Sequence, residues 1–324
     1  MNSELLTYIV FGGVLILALV FDLGLLSKKN KAVTIKQALY QTFFWVGLAL
    51  AFFIYMWIER GQVLALEYLS AYLMEWSLSI DNIFVFILIF TSFGVKEKHY
   101  GRVLLIGILM AIIFRIIFIT VGVALVDRFH WVLYLFGVFL VFTGYKMFTA
   151  NKDEEFDPHD TKIYRFLKKV LPLAPHDGDG KYVVVENGKR MYTTLFIVVL
   201  MLAAIDLVFA LDSIPAVMGI SRDKLVIYTS NIFAVLGLRS LFFLLRGAVS
   251  KFDYLQQGIA IVLVFIGIKM LAEKWINQWL DKPTQVFISL GLILICIAGS
   301  IFYSIFMKKK GTPPDVVDSS INDG

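Results

Sequence analysis

The sequence has a single cysteine, Cys296, so no disulfide can form within the chain and no cysteine cluster can hold a metal. It has only four histidines, none inside an apolar run beside the acidic motifs described below. Charged residues make up 17% of the chain and hydrophobic residues 59%, which excludes a soluble domain of this size. A phosphate-binding loop and hydrolase motifs are also absent, so we expect neither an enzyme nor a prosthetic group.

Long apolar runs dominate the sequence instead. A helix of about 20 apolar residues crosses a bilayer, and nine stretches of the chain reach that length. We therefore expect an all-α fold, a polytopic membrane helix bundle with about nine transmembrane helices. The expected spans are 6–26, 38–58, 63–92, 101–125, 131–149, 193–219, 226–246, 254–272 and 284–306.

The basic residues between these spans are unevenly distributed. Loops on one side of the membrane hold 20 Lys and Arg residues, and loops on the other side hold six. Because cytoplasmic loops carry the excess of positive charge, the sequence predicts an extracytoplasmic N-terminus and a cytoplasmic C-terminus. The net charge of +5 then reflects membrane topology. The expected partner is the lipid bilayer, and no nucleic-acid partner is indicated.

Two acidic motifs interrupt the apolar runs of the third and sixth spans, Glu-Trp-Ser-Leu-Ser-Ile-Asp-Asn and Asp-Leu-Val-Phe-Ala-Leu-Asp-Ser. Each motif places two carboxylates six residues apart. Ionisable residues within membrane spans are energetically costly, so they are candidates for a functional site. The candidate metal ligands are Glu75, Asp81, Asn82, Asp206, Asp212 and Ser213.

The chain also contains an internal repeat. Spans three to five align with spans six to eight, because both sets contain an acidic motif, an arginine and a Gly-x-Lys-Met segment in that order. Glu75 matches Asp206 at an offset of 131 residues, and Arg115 matches Arg239 at an offset of 124. Since each copy has three spans, the second copy crosses the membrane in the opposite sense. The sequence thus predicts a three-plus-three inverted repeat with the substrate site between the copies.

The repeat divides the chain into six segments. They are two peripheral transmembrane helices (1–62), the first three-helix repeat (63–149), a cytoplasmic polar loop with a hairpin (150–191), the second repeat (192–272), the last transmembrane helix (273–307) and a disordered cytoplasmic tail (308–324). In the polar loop, a short amphipathic helix is expected over Thr161–Val170, and Asn187-Gly188 is a hairpin turn signal. The loop also offers a surface for protein partners.

Helical geometry limits how the first motif can bind an ion. Residues six apart differ by about 120° around a helix, so Glu75 and Asp81 do not share one site. Glu75, Ser79 and Asn82, at spacings of four and seven, form a single stripe instead. Each acidic helix therefore offers a file of oxygen atoms, with the second carboxylate on its flank.

The second motif adds a proline. Pro215 cannot donate to the carbonyl of Leu211, so we expect the helix to kink beside Asp212 and free that carbonyl. A kink required only for packing is an equally good explanation. The candidate donors are carboxylates, hydroxyls and an amide, which suit hard divalent ions such as Mg²⁺, Ca²⁺ and Mn²⁺ better than Zn²⁺ or Cu⁺.

Six further charged residues are candidates for supporting roles. The lysines either neutralise the acids or extend to the membrane interface, and the arginines either pair with acids across the bundle or close a gate. The two remaining acids either mark entrances to the ion path or lie near lipid headgroups. These residues are Arg115, Lys146, Arg239, Lys269, Glu67 and Asp22.

These segments resemble the TerC/Alx family of integral membrane proteins. The resemblance includes both acidic motifs, Asp22-Leu-Gly, the segment from Thr229 to Arg239 and the segment from Phe265 to Met270, and it covers roughly residues 6–306. It implies a bacterial inner-membrane protein of metal-ion homeostasis with a LysE-like exporter architecture. It also implies Mn²⁺ as the transported ion and the six motif residues named above as its site.

Two hypotheses of different classes follow. The first is a secondary transporter that exports divalent metal ions, most of all Mn²⁺, by alternating access at the acidic site between the repeats. The second is a membrane scaffold or stress-resistance factor, of the tellurite type, that assists metal loading or the assembly of membrane and exported proteins. The sequence leaves the coupling ion and the oligomeric state open.

Overall fold

A computed structural model describes residues 3–21, 33–149, 157–186, 188–246 and 254–311 of the chain. Eleven α-helices and one two-stranded sheet are present in these residues. They are α1 (Ser3–Phe21), α2 (Ile35–Arg60), α3 (Gln62–Ser92), α4 (Glu97–Arg128), α5 (Val132–Thr149), α6 (Lys162–Val170), β1 (Val183–Glu186), β2 (Lys189–Tyr192), α7 (Thr194–Ile220), α8 (Lys224–Leu245), α9 (Leu255–Leu271), α10 (Glu273–Trp279) and α11 (Lys282–Gly311).

Seven of these helices are long and apolar enough to cross a membrane, and the chain is therefore a multi-pass membrane protein. The pair formed by α9 and α10, bent by 80° at a short break, gives an eighth candidate span. Within α1, the stretch Ile9–Val20 is apolar but shorter than the others. Each helix that the sequence predicts is present, whereas the count of nine transmembrane helices stays a prediction.

Local signals explain where the second and third helices begin. Thr34 caps α2, because its hydroxyl accepts from the backbone N–H of Gln37 and its own N–H donates to the Gln37 side chain, at 3.3 and 3.2 Å. Gly61 alone separates α2 from α3, with a φ of 88° that favours glycine. The chain therefore reverses direction between two long helices without a loop.

The helices alternate in direction and so define two ends of the bundle. At one end, called the loop face, α3 and α5 end and α4 and α7 begin. The polar segment, described over 157–186 and 188–193, lies at the same end. At the other end, called the far face, α2, α4 and α7 end and α3, α8 and α11 begin. Ion pairs of Arg60 with Asp223 (3.7 Å) and of Lys224 with Asp127 (3.0 Å) lie at the far face.

The core forms where helices from the two halves of the chain pack against each other. The most extensive contacts join α5 to α9, α3 to α8, and α4 to α7, while α2 packs on α8 and α3, and α11 packs on α3 and α9. α8 is the central helix, buried along almost its whole length. Side chains on the outer helix surfaces are apolar and exposed, such as Ile58 and Ile117, as expected for contact with lipid tails.

Glycines allow α5 and α9 to approach closely. A Cβ on Gly144 would lie 2.8 Å from the carbonyl oxygen of Ala260, and a Cβ on Gly267 would lie 2.7 Å from that of Gly137. Only the hydrogen atom of a glycine side chain fits at these two positions, so the backbones of α5 and α9 are in contact there. We call this contact the seam between α5 and α9. Small residues serve the same purpose at other helix contacts in membranes, where close van der Waals packing drives association.

The polar segment packs onto the loop face. The amphipathic helix expected over Thr161–Val170 is present as α6, and β1 and β2 form the expected hairpin, in which Val183 pairs with Tyr192 and Glu186 with Lys189. Asn187, half of the expected turn, lies outside the described residues. Its partner Gly188 has a φ of 73°, the conformation that such a turn requires.

Two contacts anchor this segment to the start of α4. Lys96 Nζ lies 2.8 Å from Asp177 Oδ2, and this cation lowers the pKa of the Asp177 carboxyl by hydrogen bonding. Arg102 donates to the carbonyl of Gly180 at 3.4 Å and lies 5.0 Å from the ring centroid of Tyr182. The segment is thereby held against the membrane helices.

The structure corrects one local expectation and leaves another as a prediction. α7 continues through Pro215 as one α-helix to Ile220, so the proline does not end the helix, and the expected kink beside Asp212 stays a prediction. A proline within a membrane helix is tolerated where neighbouring helices satisfy the backbone, and Pro215 is buried among them. α11 continues to Gly311, so residues 308–311 belong to a helix and not to a disordered tail; the rest of that tail lies outside the described residues.

Candidate functional site

A buried ionic cluster lies in the centre of the bundle, around the guanidinium of Arg115. Its Nε and Nη2 donate to the two carboxylate oxygens of Asp206 at 2.9 and 3.2 Å. Its Nη1 donates to Glu75 Oε2 at 2.7 Å and to Asn231 Oδ1 at 2.9 Å, with Ser213 Oγ at 3.5 Å. The side chains of Arg115, Glu75 and Asp206 are at most 3% exposed. Asn231 and Ser213 are also buried. We call these five residues the Arg115 cluster.

Four helices contribute to this cluster. Glu75 lies on α3, Arg115 on α4, Asp206 and Ser213 on α7, and Asn231 on α8. Asp206 and Ser213 are seven residues apart, so they lie two turns apart on one face of α7 and both point to the guanidinium. The amide of Asn231 donates to the carbonyl of Ile227 at 2.9 Å, which turns its oxygen towards Arg115.

The cluster has unequal numbers of positive and negative groups. Two carboxylates face one guanidinium, so with all three ionised the net charge is −1. Burying a charge is costly unless it is paired and hydrogen-bonded, and the bidentate bond between Arg115 and Asp206 meets that condition. The cluster therefore holds one more acidic group than basic groups.

Two buried oxygens beside the cluster have no hydrogen-bond partner among the described residues. They are Oε1 of Glu75 and Oγ of Ser79, whose side chains lie four residues apart on one face of α3. Asn82, also buried, continues the same stripe. By contrast, both oxygens of Asp206 accept from Arg115. Unpaired buried polar atoms are rare in folded proteins, and they mark Glu75 and Ser79 as the open side of the site.

The second acid of the second motif, Asp212, has a partner outside the Arg115 cluster. Asp212 is partly buried and accepts a hydrogen bond from Thr143 of α5 at 3.2 Å, as the six-residue spacing from Asp206 predicts. Asp81 belongs to α3, but its side chain lies outside the described residues. Among the described side chains, no three acids, histidines or cysteines converge on a common point that would hold a metal ion.

The expected supporting residues lie at different depths. Arg239 is buried, with its guanidinium 3.8 Å from where a Cβ of Gly101 would lie, near the loop face. Lys146 is exposed at the end of α5. Lys269 donates to Ser289 of α11 at 3.0 Å. Among the described side chains, Arg115 is the supporting residue that contacts Glu75 and Asp206. Asp22 lies outside the described residues.

A second polar group surrounds Glu67 at the far face. Glu67 is buried, accepts a hydrogen bond from the Ser221 hydroxyl, and lies 3.4 Å from the ammonium of Lys282. A cavity of about 90 Å³ adjoins these groups and is lined by Ser221, Lys282, Lys269 and Glu273, among others. Glu67 thus lies next to a polar cavity at the far face, and its role as an entrance stays a prediction.

Sequence reasoning missed two groups at the centre. The sequence analysis names the segment that contains Asn231 but does not single out this residue. A polar amide in the middle of an apolar helix, like an intramembrane acid, indicates a functional site. Thr143 gave no signal, because a threonine in an apolar helix usually bonds to its own backbone. The contacts of Asn231 and Thr143 depend on how α8 and α5 are rotated about their axes relative to their neighbours. The spacing of residues along one helix does not predict that rotation.

Apolar spanning helices around a buried ionic cluster define an integral, multi-pass membrane protein with a charged core. The chain belongs to the integral membrane protein TerC family, whose model matches residues 60–312. No solved structure matches the chain.

Curated relatives span nearly the same length. An uncharacterized membrane protein of Myxococcus xanthus is 40% identical over 301 residues, which is 93% of this chain and 92% of the relative. An uncharacterized membrane protein of Rickettsia bellii is 38% identical over 94% of this chain and 98% of its own length. A protein of Escherichia coli named "Putative membrane-bound redox modulator Alx" is 39% identical over 82% of this chain and 86% of its own length.

Proposed function

We propose that this protein is a secondary transporter that exports hard divalent metal ions, in the first place Mn²⁺, by alternating access at the Arg115 cluster. The observation that carries the proposal is the meeting of Glu75 and Asp206, one acid from each half of the chain, at one buried guanidinium. Intramembrane acids that meet at a bundle centre are typical of ion paths. The net negative charge of this cluster favours a cation over an anion.

The packing of the helices supports an inverted repeat. In the repeat, α3, α4 and α5 correspond to α7, α8 and α9. The contact of α3 with α8 has its counterpart in the contact of α4 with α7, while α5 packs on its own equivalent, α9. Such exchange of contacts is what a two-fold relation between two equal units requires.

The seam between α5 and α9 supports the same relation at the level of residues. Gly137 approaches Gly267, and Gly144 approaches Ala260. At the repeat offset of 123 residues, Gly144 corresponds to Gly267 and Gly137 to Ala260, so each contact is the counterpart of the other. From the first contact to the second, the residue numbers rise along α5 and fall along α9, so the two helices are antiparallel. A two-fold axis in the membrane plane requires this arrangement. A transporter of this architecture rocks one repeat against the other around a central site.

Within the site, we assign different roles to the two central acids. Asp206 is fully occupied by Arg115 and acts as its fixed counter-charge. Glu75 keeps one free oxygen and shares its stripe with Ser79 and Asn82, so it presents oxygen ligands to the ion. Carboxylate, hydroxyl and amide oxygens suit Mn²⁺, Mg²⁺ and Ca²⁺. Asp81 and Asp212 remain the flanking acids of the proposed path.

Glu67 is the proposed outer end of this path. It stands at the far face beside the polar cavity and pairs with Lys282. With the loop face in the cytoplasm, as the distribution of basic residues predicts, an exported ion leaves past Glu67. If Glu67 exchanged Lys282 for the ion, the outer end of the path would open and the Glu67 carboxylate would stay paired.

The name of the Escherichia coli relative suggests a redox role as an alternative. In this chain, a direct dithiol reaction within one molecule is excluded because the sequence has one cysteine. A scaffold that assists metal loading or assembly of other proteins remains the second candidate, and the exposed valines of the hairpin, Val183 and Val185, favour a contact surface on the loop face.

Manganese efflux from preloaded cells that lack other manganese exporters tests the proposal. We expect the intact protein to export the ion and Glu75→Gln to abolish export at equal expression. Asp127→Asn is the matched control, because Asp127 is an exposed acid of α4 paired with Lys224 at the far face. Its efflux should equal that of the intact protein.

Two outcomes would overturn this function. Absence of efflux with the intact protein, together with a retained stress phenotype in the same cells, would favour the scaffold. Equal efflux from Glu75→Gln and the intact protein would place the ion path elsewhere.

A further inference from the structure

A large apolar groove lies on the outer surface of the bundle near the loop face, away from the Arg115 cluster. It has a volume of about 460 Å³ and runs between α4, α6 and α7. Its walls include Met110 and Phe114 of α4 and Leu200, Ala203 and Ala204 of α7. The volume falls in the range of small-molecule sites, about 300–1,000 Å³.

The helix α6 closes one side of this groove. At about 100° per residue, Ile163, Phe166, Leu167 and Val170 fall on one face of α6, and the first three of these line the groove. Phe166 is 64% exposed even so. A short helix with such an apolar face, packed beside spanning helices, lies in the plane of the membrane interface with that face in the lipid.

The opposite face of α6 is strongly basic. The helix contains Lys162, Arg165, Lys168 and Lys169 and no acidic residue, and all four basic side chains are exposed. Lys162 also lines the groove, so the basic face of α6 borders it. A cationic rim above an apolar cleft is complementary to a molecule with an anionic head and an apolar tail.

We propose that this groove binds an anionic phospholipid. One acyl chain lies between α4 and α7 against Ala203 and Ala204, and the phosphate lies against Lys162 and the neighbouring lysines of α6. The lipid thereby joins the polar segment to two of the helices that form the Arg115 cluster. This site does not depend on the transport function proposed above.

Native mass spectrometry of the full-length protein, released from nanodiscs that contain phosphatidylglycerol and phosphatidylcholine in equal amounts, tests the site. We expect phosphatidylglycerol to be retained preferentially. The triple variant K162Q/K168Q/K169Q should lower that preference by tenfold or more, because it removes three cations that each contribute on the order of 1 kcal/mol near an anionic headgroup. Ala204→Phe, which fills the groove, should remove the retained lipid while leaving the basic face intact.

The control K98Q/K181Q/K189Q removes three exposed lysines from the same face of the membrane but outside the groove. It should retain phosphatidylglycerol as the intact protein does. Equal retention of the two lipids by the intact protein would overturn the proposal. Equal loss in both triple variants would also overturn it, since a general surface charge would then explain the preference. Unchanged retention in Ala204→Phe would overturn the assignment of the acyl chain.

Discussion

Arg115 and Asp206 form a bidentate pair across the centre of the bundle, with Nε to Oδ2 at 2.9 Å and Nη2 to Oδ1 at 3.2 Å. The two residues come from different halves of the chain, on α4 and α7. The pair therefore ties the halves together where the membrane offers no water to solvate either charge. Its loss should affect both the stability of the bundle and the charge of the proposed ion site.

Removal of one partner should cost more than removal of both. Arg115→Met leaves the carboxylates of Glu75 and Asp206 buried without their cation, and breaking a buried ion pair in this way costs about 3–5 kcal/mol. The double variant R115M/D206N removes the uncompensated charge on Asp206. Thermal unfolding in detergent should give the double variant a higher Tm than Arg115→Met, and a lower Tm for the double variant would contradict the pairing.

Ser79 should affect the ion more than the fold. Because Ser79 Oγ has no partner among the described residues, Ser79→Ala should leave Tm nearly unchanged. If this oxygen is an ion ligand, the same change should weaken manganese binding several-fold, measured by calorimetry on the purified protein. Ser77→Ala is the control, since Ser77 is also buried on α3 but donates to its own helix at Leu73, 2.9 Å away. Equal affinity in both variants would remove Ser79 from the site.

The seam between α5 and α9 should not tolerate a methyl group. A Cβ on Gly144 would lie 2.7 Å from Val264 Cγ2 and 2.8 Å from the Ala260 carbonyl oxygen, so Gly144→Ala should destabilise the bundle by about 1–3 kcal/mol. Gly47→Ala on α2 has open space within 4 Å and should be neutral or stabilising. Thermal unfolding of the two variants side by side checks this, and equal Tm values would show that the seam can separate.

The anchor of the polar segment should depend weakly on Lys96 and on pH. Lys96 lowers the pKa of Asp177 below its ordinary value of 3.8, so the pair contributes stability above that value and loses it as the pH falls through the lowered pKa. From neutral pH down to about 5, docking should stay constant. Lys96→Gln should raise hydrogen exchange over 177–181 by several-fold at most, because exposed ion pairs contribute about 0–1 kcal/mol. An unchanged rate would assign the docking to Arg102 and Tyr182 instead.

The sequence predicts the helices well because each apolar run corresponds to one helix, and Asn187-Gly188 predicts the hairpin that β1 and β2 form. It does not predict that Arg115 contacts Glu75 and Asp206 together. Arg115 and Arg239 are equivalent in the repeat, yet Arg115 lies at the centre and Arg239 near Gly101. That difference depends on how α4 and α8 rotate against their neighbours, and the spacing of residues within one helix carries no information about it. The sequence likewise does not predict that α7 continues through Pro215, because a proline in a membrane helix is tolerated where neighbouring helices satisfy the backbone.

The most direct test compares two double variants of equal buried charge. R115M/D206N keeps Glu75, and R115M/E75Q keeps Asp206, so each retains one of the two central acids. Both should be reconstituted in liposomes after size-exclusion chromatography has shown them monodisperse, and manganese flux should be measured. We predict flux through R115M/D206N and none through R115M/E75Q, because Glu75 presents the free oxygen to the ion. Equal flux through both, or flux only through R115M/E75Q, would contradict this account.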